Sequence, residues 1–339
     1  MANPTIKDVA KHAGVSIATV SRVINDNYFV SSDTKEKVYT AIEELHYLPN
    51  SIARSLKGDS THTIGFIVSN ISNTYFTSVA KAIEDIISKD GYSLFVCSTE
   101  NIKEREQSHL ELLASKKVDG IILNTTGKNN DLVTNLAQSG LPIVLIDRKV
   151  DSDGFIGDFI TNDNIEGSYN LTSHLLSLNH RKIAIINGIL SVSSGVERYR
   201  GFVKAMEIKG ISVADDYPYQ YEGDFTVKSG YKAAEFLMSL PEMPTAIIGM
   251  NNNMTMGALM YLRENKINVP EQVSVASYGD LENWELMYIE PTVLTLNTTL
   301  LGQKAAEMII ERIEKNNEIQ NRHVIYFPQF IIRGTTKAI

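Results

Sequence analysis

The sequence predicts a small all-α domain at the N-terminus, followed by a larger α/β domain made of two lobes. Three observations indicate this organisation. Apolar residues in the first 60 positions recur at the spacing of short amphipathic helices. Beyond residue 61, short apolar strands alternate with helical segments, which is the pattern of parallel sheets. The alternation starts a second time near Lys182, so a chain of 339 residues is expected to contain two such sheets.

Composition and charge are those of a globular protein whose two ends differ. Hydrophobic residues make up 43% and charged residues 21% of the chain, which is enough for a sizeable core. The formal net charge is −8, yet residues 1–60 carry seven Lys/Arg and seven Asp/Glu and are therefore neutral. The negative excess lies in the remainder of the chain. This distribution favours contact with nucleic acid at the N-terminal end only.

The single cysteine and the N-terminal composition indicate a cytoplasmic protein. Cys97 has no partner for an internal disulfide and lies in an apolar run, so we interpret it as a core residue rather than a reactive thiol. The first residues contain no apolar segment typical of a signal peptide. No stretch elsewhere approaches about 18 consecutive apolar residues. We therefore expect neither export nor a membrane partner.

The first two predicted helices form a helix-turn-helix. Thr5 can cap the first helix, and apolar residues then recur at i, i+3, i+4 and i+7 from Ile6. Gly14 follows where a glycine would end that helix, and Ser16 can cap the second. Two short helices joined by a tight glycine-containing turn make this motif. A third helix is predicted over about 33–46, packed on the pair.

The second helix presents the residues predicted to contact DNA. Small side chains at its start allow the backbone to approach base edges, and Arg22 can donate two hydrogen bonds to O6 and N7 of a guanine. The alternative is a small helical bundle with a solvated arginine, and the helical pattern alone does not separate the two. The predicted contacts here are Thr5, Ser16, Ile17, Ala18, Thr19, Ser21, Arg22 and Asn25.

A short segment after the third helix predicts a second DNA contact. Pro49 breaks the third helix, and Asn50 can cap a new helix that ends at Gly58. A helix of about two turns does not persist alone in water, so it needs a partner helix or DNA. Leu56 is a candidate wedge between base steps in a minor groove, whereas the alternative is an ordinary linker. The predicted contacts here are Asn50, Ala53, Arg54, Leu56 and Lys57.

Two segments, TIKDVAKHAGVSIATVSRVIN from Thr5 and ARSLKG from Ala53, resemble the LacI family of bacterial repressors, and the resemblance extends over the whole chain. The resemblance implies a transcriptional regulator that binds double-stranded operator DNA as a homodimer. Its paired hinge helices would fold on the operator, and its recognition helices would read two half-sites of a near-palindrome. The resemblance further implies that Leu56 intercalates and that the base and backbone contacts include Ser16, Ile17, Ala18 and Arg22.

The larger domain resembles a type I periplasmic binding protein, which the family match also implies. The chain would then cross between lobes near Asn162, Pro291 and Asn321, and a helix at Leu300–Asn316 would return to the first lobe. The predicted strands are Ile64–Val68, Leu94–Cys97, Val118–Leu123 and Ile143–Ile146, then Lys182–Asn187, Thr245–Gly249 and Val273–Ser277. The predicted domains are 1–49 for DNA binding, 50–60 for the hinge helix and linker, and 61–339 for effector binding and dimerisation. Within the last, lobe 1 spans about 61–161 and 292–320, and lobe 2 about 162–291 and 321–339.

Residues that follow the strands are predicted to line a cleft, because ligands of open α/β sheets bind at the carboxyl ends of the strands. For Tyr75 and Phe76 the alternative is core packing, and for Asp147 and Arg148 it is a structural ion pair. The resemblance also places a ligand-contacting arginine at Arg198. The predicted effector contacts are Asn73, Tyr75, Phe76, Thr125, Thr126, Asp147, Arg148, Arg198, Phe225, Asn252 and Asp280.

Departures from the family pattern predict an anionic effector. Members that bind neutral sugars tend to carry aspartates at the positions of Asn252 and Gly279, whereas this chain lacks both and keeps Arg148 and Arg198. Pairing of arginine with a carboxylate is bidentate and charge-assisted, so a sugar acid is preferred over a neutral sugar. The segments LNTTGKNND and LIDRKV look closest to the branch that senses 2-keto-3-deoxygluconate. Asp280 would restore one negative charge if it points into the cleft.

Catalysis and metal binding are not expected. The sequence contains no phosphate-binding GxxxxGK[ST] loop, no GxGxxG after the first strand and no HExxH motif. His174 and His180 are six residues apart, which does not place them on one helical face. We predict no catalytic residue, metal or cofactor. A solute-binding protein is the nearest alternative, and within the family so is a regulator that uses a corepressor or activates. A dimer is favoured over a tetramer because no leucine-heptad tail follows Gly334.

Overall fold

The computed structural model describes residues 4–25, 29–47, 60–214, 216–315 and 317–339. The chain divides into two compact units, residues 1–61 and 62–339. No helix in the described ranges is long and apolar enough to cross a membrane.

Three helices build the first unit, and their starts follow the predicted capping. The Asp8 carboxylate accepts hydrogen bonds from the backbone N–H and the hydroxyl of Thr5 at 2.8 and 2.7 Å. Gly14 ends the first helix in the left-handed region with φ 65°, which costs a glycine little. Ser16 Oγ accepts from the backbone N–H of Thr19 at 3.0 Å and caps the second helix. The helices are α1 Ile6–Ala13, α2 Ile17–Asn25 and α3 Ser32–Glu44.

One small apolar core holds these three helices together. The predicted helix-turn-helix is confirmed, since α1 and α2 meet at the turn around Gly14 and α3 packs on both. The third helix ends two residues earlier than predicted, because His46 adopts a left-handed backbone with φ 47°. The core consists of Val9, Ala10, Val20, Val23, Val38, Ala41 and Tyr47.

The first lobe of the second unit contains a wholly parallel six-stranded sheet. Its strands are β1 Thr63–Val68, β2 Ser93–Ser98, β3 Gly120–Leu123, β4 Ile143–Ile146, β5 Asp158–Asn162 and β11 His323–Tyr326. They lie in the order β11-β5-β4-β3-β1-β2. The helices of this lobe are α4 Thr74–Ile87, α5 Lys103–Ser115, α6 Asn130–Gln138 and α11 Thr298–Glu314. The central strands are buried on both faces, as expected of a parallel sheet covered by helices.

The second lobe repeats this arrangement with one antiparallel edge strand. Its strands are β6 Ile183–Asn187, β7 Gln220–Glu222, β8 Ala246–Gly249, β9 Ser274–Tyr278, β10 Thr292–Thr295 and β12 Gln329–Ile331. They lie in the order β12-β10-β9-β8-β6-β7, and β12 runs antiparallel to β10. The helices are α7 Asn164–Ser177, α8 Ser193–Ile208, α9 Val227–Met238 and α10 Asn252–Glu264. The predicted two-lobed α/β fold is therefore confirmed.

The chain crosses between the two sheets three times, and each connection is short. Asp163 alone separates β5 from α7. Leu296 and Asn297 separate β10 from α11, and Phe327 and Pro328 separate β11 from β12.

Two of these crossings come later in the chain than the sequence predicts. Residues 292–295, expected in lobe 1, form β10 of the second sheet, and residues 323–326, expected in lobe 2, form β11 of the first. The predicted crossings near Pro291 and Asn321 therefore precede the observed ones by a strand each. The first crossing, near Asn162, lies where the sequence places it.

An ion cluster with a fully buried pair at its centre joins three elements of the first lobe. Asp158 at the start of β5 and Arg312 on α11 are both 0% exposed. Arg312 donates from Nε and Nη2 to the two carboxylate oxygens of Asp158 at 2.8 and 2.7 Å. Arg322, just before β11, donates to Asp158 Oδ2 at 2.7 Å and also pairs with Glu311. Burial opposes ionisation of Asp158, but the hydrogen bonds from Arg312 and Arg322 outweigh it and hold the pKa of Asp158 below its ordinary value.

Candidate effector site and DNA-reading helix

The face of α2 opposite the core carries predicted DNA contacts. Val20 and Val23 are fully buried, which turns the other side of the helix outward. Ile17 is 44% exposed, and Ala18 and Arg22 are exposed as well. A helix that presents small residues at its start and an arginine one turn later can lie along base edges in a major groove.

Several other predicted DNA contacts lie at the helix starts, where they already make capping hydrogen bonds. Thr5 is held by Asp8, and the hydroxyls of Ser16 and Thr19 are 2.8 Å apart. Ser21 is half-buried. The side chain of Asn25 and the predicted hinge contacts lie outside the described residues, the latter being Asn50, Ala53, Arg54, Leu56 and Lys57.

A cavity of about 230 Å³ lies between the two lobes of the second unit. Residues at the carboxyl ends of strands of both sheets line it, as the topology requires. Among the predicted effector contacts, those that line it are Asn73, Tyr75, Phe76, Asp147, Arg148, Arg198, Phe225, Asn252 and Asp280.

Thr125 and Thr126 do not line the cavity, contrary to the prediction. Both are buried and turned towards Glu106 of α5, which is itself 0% exposed. Thr125 Oγ1 donates to Glu106 at 2.7 Å, the Thr126 backbone N–H donates at 3.1 Å, and the Thr126 hydroxyl also donates. Asn129 Nδ2 adds a further bond at 2.9 Å. Glu106 thus fixes the loop that follows β3.

Replacing Glu106 with glutamine is expected to lower the free energy of unfolding by about 1–3 kcal/mol. A glutamine would turn its own N–H groups towards the donors of Thr126 or Asn129 and leave them unpaired. Denaturant unfolding of the full chain measures the change. Glu104→Gln, at an exposed position of the same helix, is the control and should change stability by less than about 0.5 kcal/mol. Equal stabilities of the two variants would contradict this role of Glu106.

Arg198 links the two lobes at the floor of the cavity. Its Nε donates to Asn164 Oδ1 at 2.8 Å and its Nη1 to the Met250 carbonyl oxygen at 2.8 Å. Its Nη2 reaches Asp147 of the first lobe at 3.4 Å. The guanidinium also lies 4.0 Å from the ring centroid of Tyr278. Most of its donors are therefore engaged within the protein.

Arg148 approaches the cavity from the first lobe and is 3% exposed. Its Nη1 donates to Asn101 Oδ1 at 2.8 Å and to the Thr125 carbonyl oxygen at 3.2 Å. Its guanidinium lies 5.2 Å from the ring centroid of Phe225 in the second lobe. Burial lowers the pKa of Arg148 to about 10, and Asp147 partly offsets this. The ion pair considered between Asp147 and Arg148 forms instead between Asp147 and Arg198.

An amide pair bridges the lobes at the same cavity. Asn73 Nδ2 donates to Asn252 Oδ1 at 3.2 Å, and Asn252 Nδ2 donates back to Asn73 Oδ1 at 3.0 Å. An aspartate in place of Asn252 could not return the second bond, since an ionised carboxylate only accepts. Asp280 lines the cavity and accepts from Thr295 Oγ1 at 2.8 Å.

Four non-glycine residues that line the cavity have a left-handed backbone, among them Glu100 and Asn101 with φ 52° and 56°. Asp147 and Phe225 both have positive φ, 65° and 67°, although neither is glycine. Residues held in this region cost free energy and cluster at ligand sites. Gly188 makes room for the Phe225 ring, because a Cβ at Gly188 would lie 2.0 Å from ring carbons.

Several residues that line the cavity are not among the predicted effector contacts. Asn101 follows β2, and Tyr278 ends β9, so the rule that selected the other residues would have found both. Asp224 follows β7, a three-residue strand that carries no clear sequence signal.

Side chains of metal-ligating types and the single cysteine lie within the described ranges. No group of three or more His, Cys, Asp or Glu side chains there could hold a metal ion. Cys97, predicted as a core residue, is half-buried in β2, and burial raises the pKa of its thiol.

Each of the two units matches a family model of known proteins. Residues 5–50 match the model of bacterial regulatory proteins of the lacI family, and residues 61–333 match that of periplasmic binding proteins and the sugar-binding domain of the LacI family. HTH-type transcriptional repressors PurR from Actinobacillus pleuropneumoniae serotype 3 (strain JL03) and Haemophilus influenzae (strain PittEE) are 35% and 37% identical to the chain, over 99% of it and 99% of each relative. These names do not support the resemblance to a sugar-acid branch.

Solved structures show the same similarity over the full length. A lac repressor dimer bound to operator and the anti-inducer ONPF superimposes with a TM-score of 0.81 at 28% identity, covering 99% of this chain and 100% of that one. A complex of the transcriptional regulator CelR with cellobiose gives 0.73 at 28% identity, covering 98% and 99%. The chain therefore belongs to the LacI family of bacterial regulatory proteins and is a DNA-binding transcriptional repressor, not an enzyme.

Proposed function

We propose that the chain represses a carbohydrate or sugar-acid catabolic operon in the cytoplasm and is released from its operator by a sugar acid bound between the lobes. It acts as a homodimer whose α2 helices read two half-sites. The observation that carries this proposal is the interlobe cavity with two buried guanidinium groups, joined in one chain to a helix-turn-helix. A related lac repressor is a dimer on its operator, which supports the assembly.

Effector binding can be coupled to DNA binding because both lobes contribute residues to the cavity. Asp147 lies in the first lobe and Arg198 in the second, so a ligand between them acts on both lobes at once. Binding changes lobe closure, which changes the spacing of the dimer's DNA-binding ends and the stability of the paired hinge helices. Coupling between two such sites is typically worth about 1–3 kcal/mol.

The cavity contains positive charges that favour an anionic effector and negative charges that disfavour one. Arg148 and Arg198 favour an anion, because a guanidinium pairs with a carboxylate through charge-assisted hydrogen bonds. Four carboxylates, those of Glu100, Asp147, Asp224 and Asp280, add negative charge to the lining. Of these, Asp224 accepts a hydrogen bond from the Thr226 hydroxyl and Asp280 from the Thr295 hydroxyl. We retain the sugar acid as the proposed effector because of the two guanidinium groups, with a neutral sugar as the alternative that the carboxylates of the lining favour.

The test is operator binding by the full chain, measured by fluorescence anisotropy on a labelled duplex from upstream of its own coding region. A scrambled duplex of the same composition is the control. With 2-keto-3-deoxygluconate, glucuronate or galacturonate present, operator affinity should fall about 5–150-fold. The absence of salt-sensitive affinity for any duplex would overturn the repressor function. Tighter binding of a neutral hexose or a purine base than of every sugar acid would overturn the effector class, and increased operator affinity would identify a corepressor.

A further inference from the structure

We propose that the amide pair of Asn73 and Asn252 is a latch that holds the two lobes closed before any effector binds. The cleft then opens only when this pair separates. The latch consists of the chain's own side chains, so it does not depend on the effector class and goes beyond the proposed function.

The amide of Asn73 is fixed in one orientation by its own helix. Asn73 Oδ1 caps α4 by accepting from the backbone N–H of Tyr75 at 3.0 Å, which identifies the other end of the amide as the Nδ2 donor. Nδ2 donates across the cleft to Asn252 Oδ1 at 3.2 Å, and Asn252 Nδ2 donates back to Asn73 Oδ1 at 3.0 Å. Each side chain thus donates one bond and accepts one, which a carboxylate in either position could not do.

Other hydrogen bonds near the cavity also cross between the lobes, but each is longer or involves a more exposed side chain. Arg198 reaches Asp147 at 3.4 Å. Lys149 donates from its backbone N–H to Ser193 Oγ at 3.0 Å and pairs with Glu197 at 2.7 Å. The Lys149 side chain is 45% exposed, and ion pairs of this kind contribute little in water. The first-lobe member of the latch is only 7% exposed, so water competes less for its bonds.

The charges that line the cavity do not favour closure by themselves. Each lobe contributes two carboxylates and one guanidinium, so each face of the cavity carries a formal charge of −1. These groups are Glu100, Asp147 and Arg148 in the first lobe and Asp224, Asp280 and Arg198 in the second. Two faces of the same net charge do not attract each other overall. An uncharged contact such as the amide pair is therefore what favours the closed arrangement.

The latch sets the balance between closed and open chains. Its two hydrogen bonds exist only when the lobes are together, so they favour that arrangement by the net strength of both bonds. Two ordinary hydrogen bonds change such a ratio of populations about tenfold or more. An effector that enters the cleft then acts on an equilibrium that already lies towards closure.

The test removes the bonds from each lobe in turn. Asn252→Ala deletes both bonds and adds no charge. Asn73→Asp keeps the cap of α4 and the bond accepted from Asn252 Nδ2 but loses the bond it donates. Asn253→Ala, at the next and half-buried position of α10, is the matched control because Asn253 is not part of the pair. All samples are in about 1 M salt, which screens the carboxylate that Asn73→Asp introduces.

The distance between the lobes is measured by pulsed electron paramagnetic resonance on the full chain without effector. Spin labels are attached at Glu104→Cys in α5 and Lys232→Cys in α9, two exposed positions in different lobes, with Cys97→Ser to remove the natural thiol. Labelled chain is mixed with an excess of unlabelled chain, so that a homodimer carries one labelled copy. Thermal unfolding is measured on every variant to establish that it folds.

The natural chain and Asn253→Ala should both give mainly the short distance. Asn252→Ala should raise the ratio of open to closed chains about tenfold or more, and Asn73→Asp should raise it by less. A natural chain that is mainly open, an Asn252→Ala distribution that matches the natural one, or equal opening in Asn253→Ala would overturn the latch. Operator affinity is measured on the same variants. Unchanged affinity in an opened Asn252→Ala chain would support the latch and contradict the coupling mechanism of the proposed function, so the two failures are distinguishable.

Discussion

Replacing Arg312 with methionine is expected to lower the free energy of unfolding of the second unit by about 3–5 kcal/mol. The substitution removes the bidentate partner of Asp158 and leaves a carboxylate with 0% exposure at the start of β5. Arg322 remains, but its side chain is 29% exposed and water competes for it. Urea unfolding of the full chain, followed by circular dichroism, measures the loss.

The matched control lies on the same helix. Lys304→Met on α11 breaks an exposed pair with Glu307 and should cost less than about 1 kcal/mol. If Arg312→Met were as stable as Lys304→Met, the cluster around Asp158 would not contribute to the stability of this lobe.

Replacing Arg22 with alanine is expected to relax base preference at one position in each operator half-site. A bidentate contact from arginine to guanine is worth about 1–3 kcal/mol of discrimination, so the preferred sequence should lose affinity while sequences with another base there lose little. Selection from a library of randomised operators, with the full chain as bait, measures the preference position by position.

Lys57→Ala provides the contrast, although Lys57 lies outside the described residues. A lysine that contacts phosphate contributes equally to all sequences, so its loss should weaken every duplex alike and reduce the salt slope by about one. An Arg22→Ala selection that recovered the same operator as the natural chain would show that α2 is not the recognition helix.

The fold was predictable from sequence wherever strands are continuous apolar runs. β1, β4 and β8 are of this kind and were found to within a residue or two. β5 and β10 were missed because each begins with a buried polar residue, Asp158 and Thr292. The partners of both residues, Arg312 and Arg333, are far away in the chain, so no local pattern reveals that these side chains are satisfied.

The candidate site shows the same limit. The strand-end rule located Asn73, Asp147 and Arg148, because topology alone brings those positions to one edge of the sheet. It failed for Thr125, whose hydroxyl turns to Glu106 instead of the cavity. Glu106 stands at i, i+4 and i+7 with Leu110 and Leu113, so helical spacing does place it on the buried face of α5, but its charge favours solvent and its partners in the loop after β3 could not be inferred from that spacing.

The three connections between the lobes constrain how the cleft can open. Only five residues carry them, Asp163, Leu296, Asn297, Phe327 and Pro328, and the ring of Pro328 removes one torsional freedom. With so few adjustable backbone angles, we expect any opening of the cleft to be a rotation of one lobe as a rigid body relative to the other. A ligand that contacts both lobes would then change mainly the angle between them, because the short connections leave little room for other displacements.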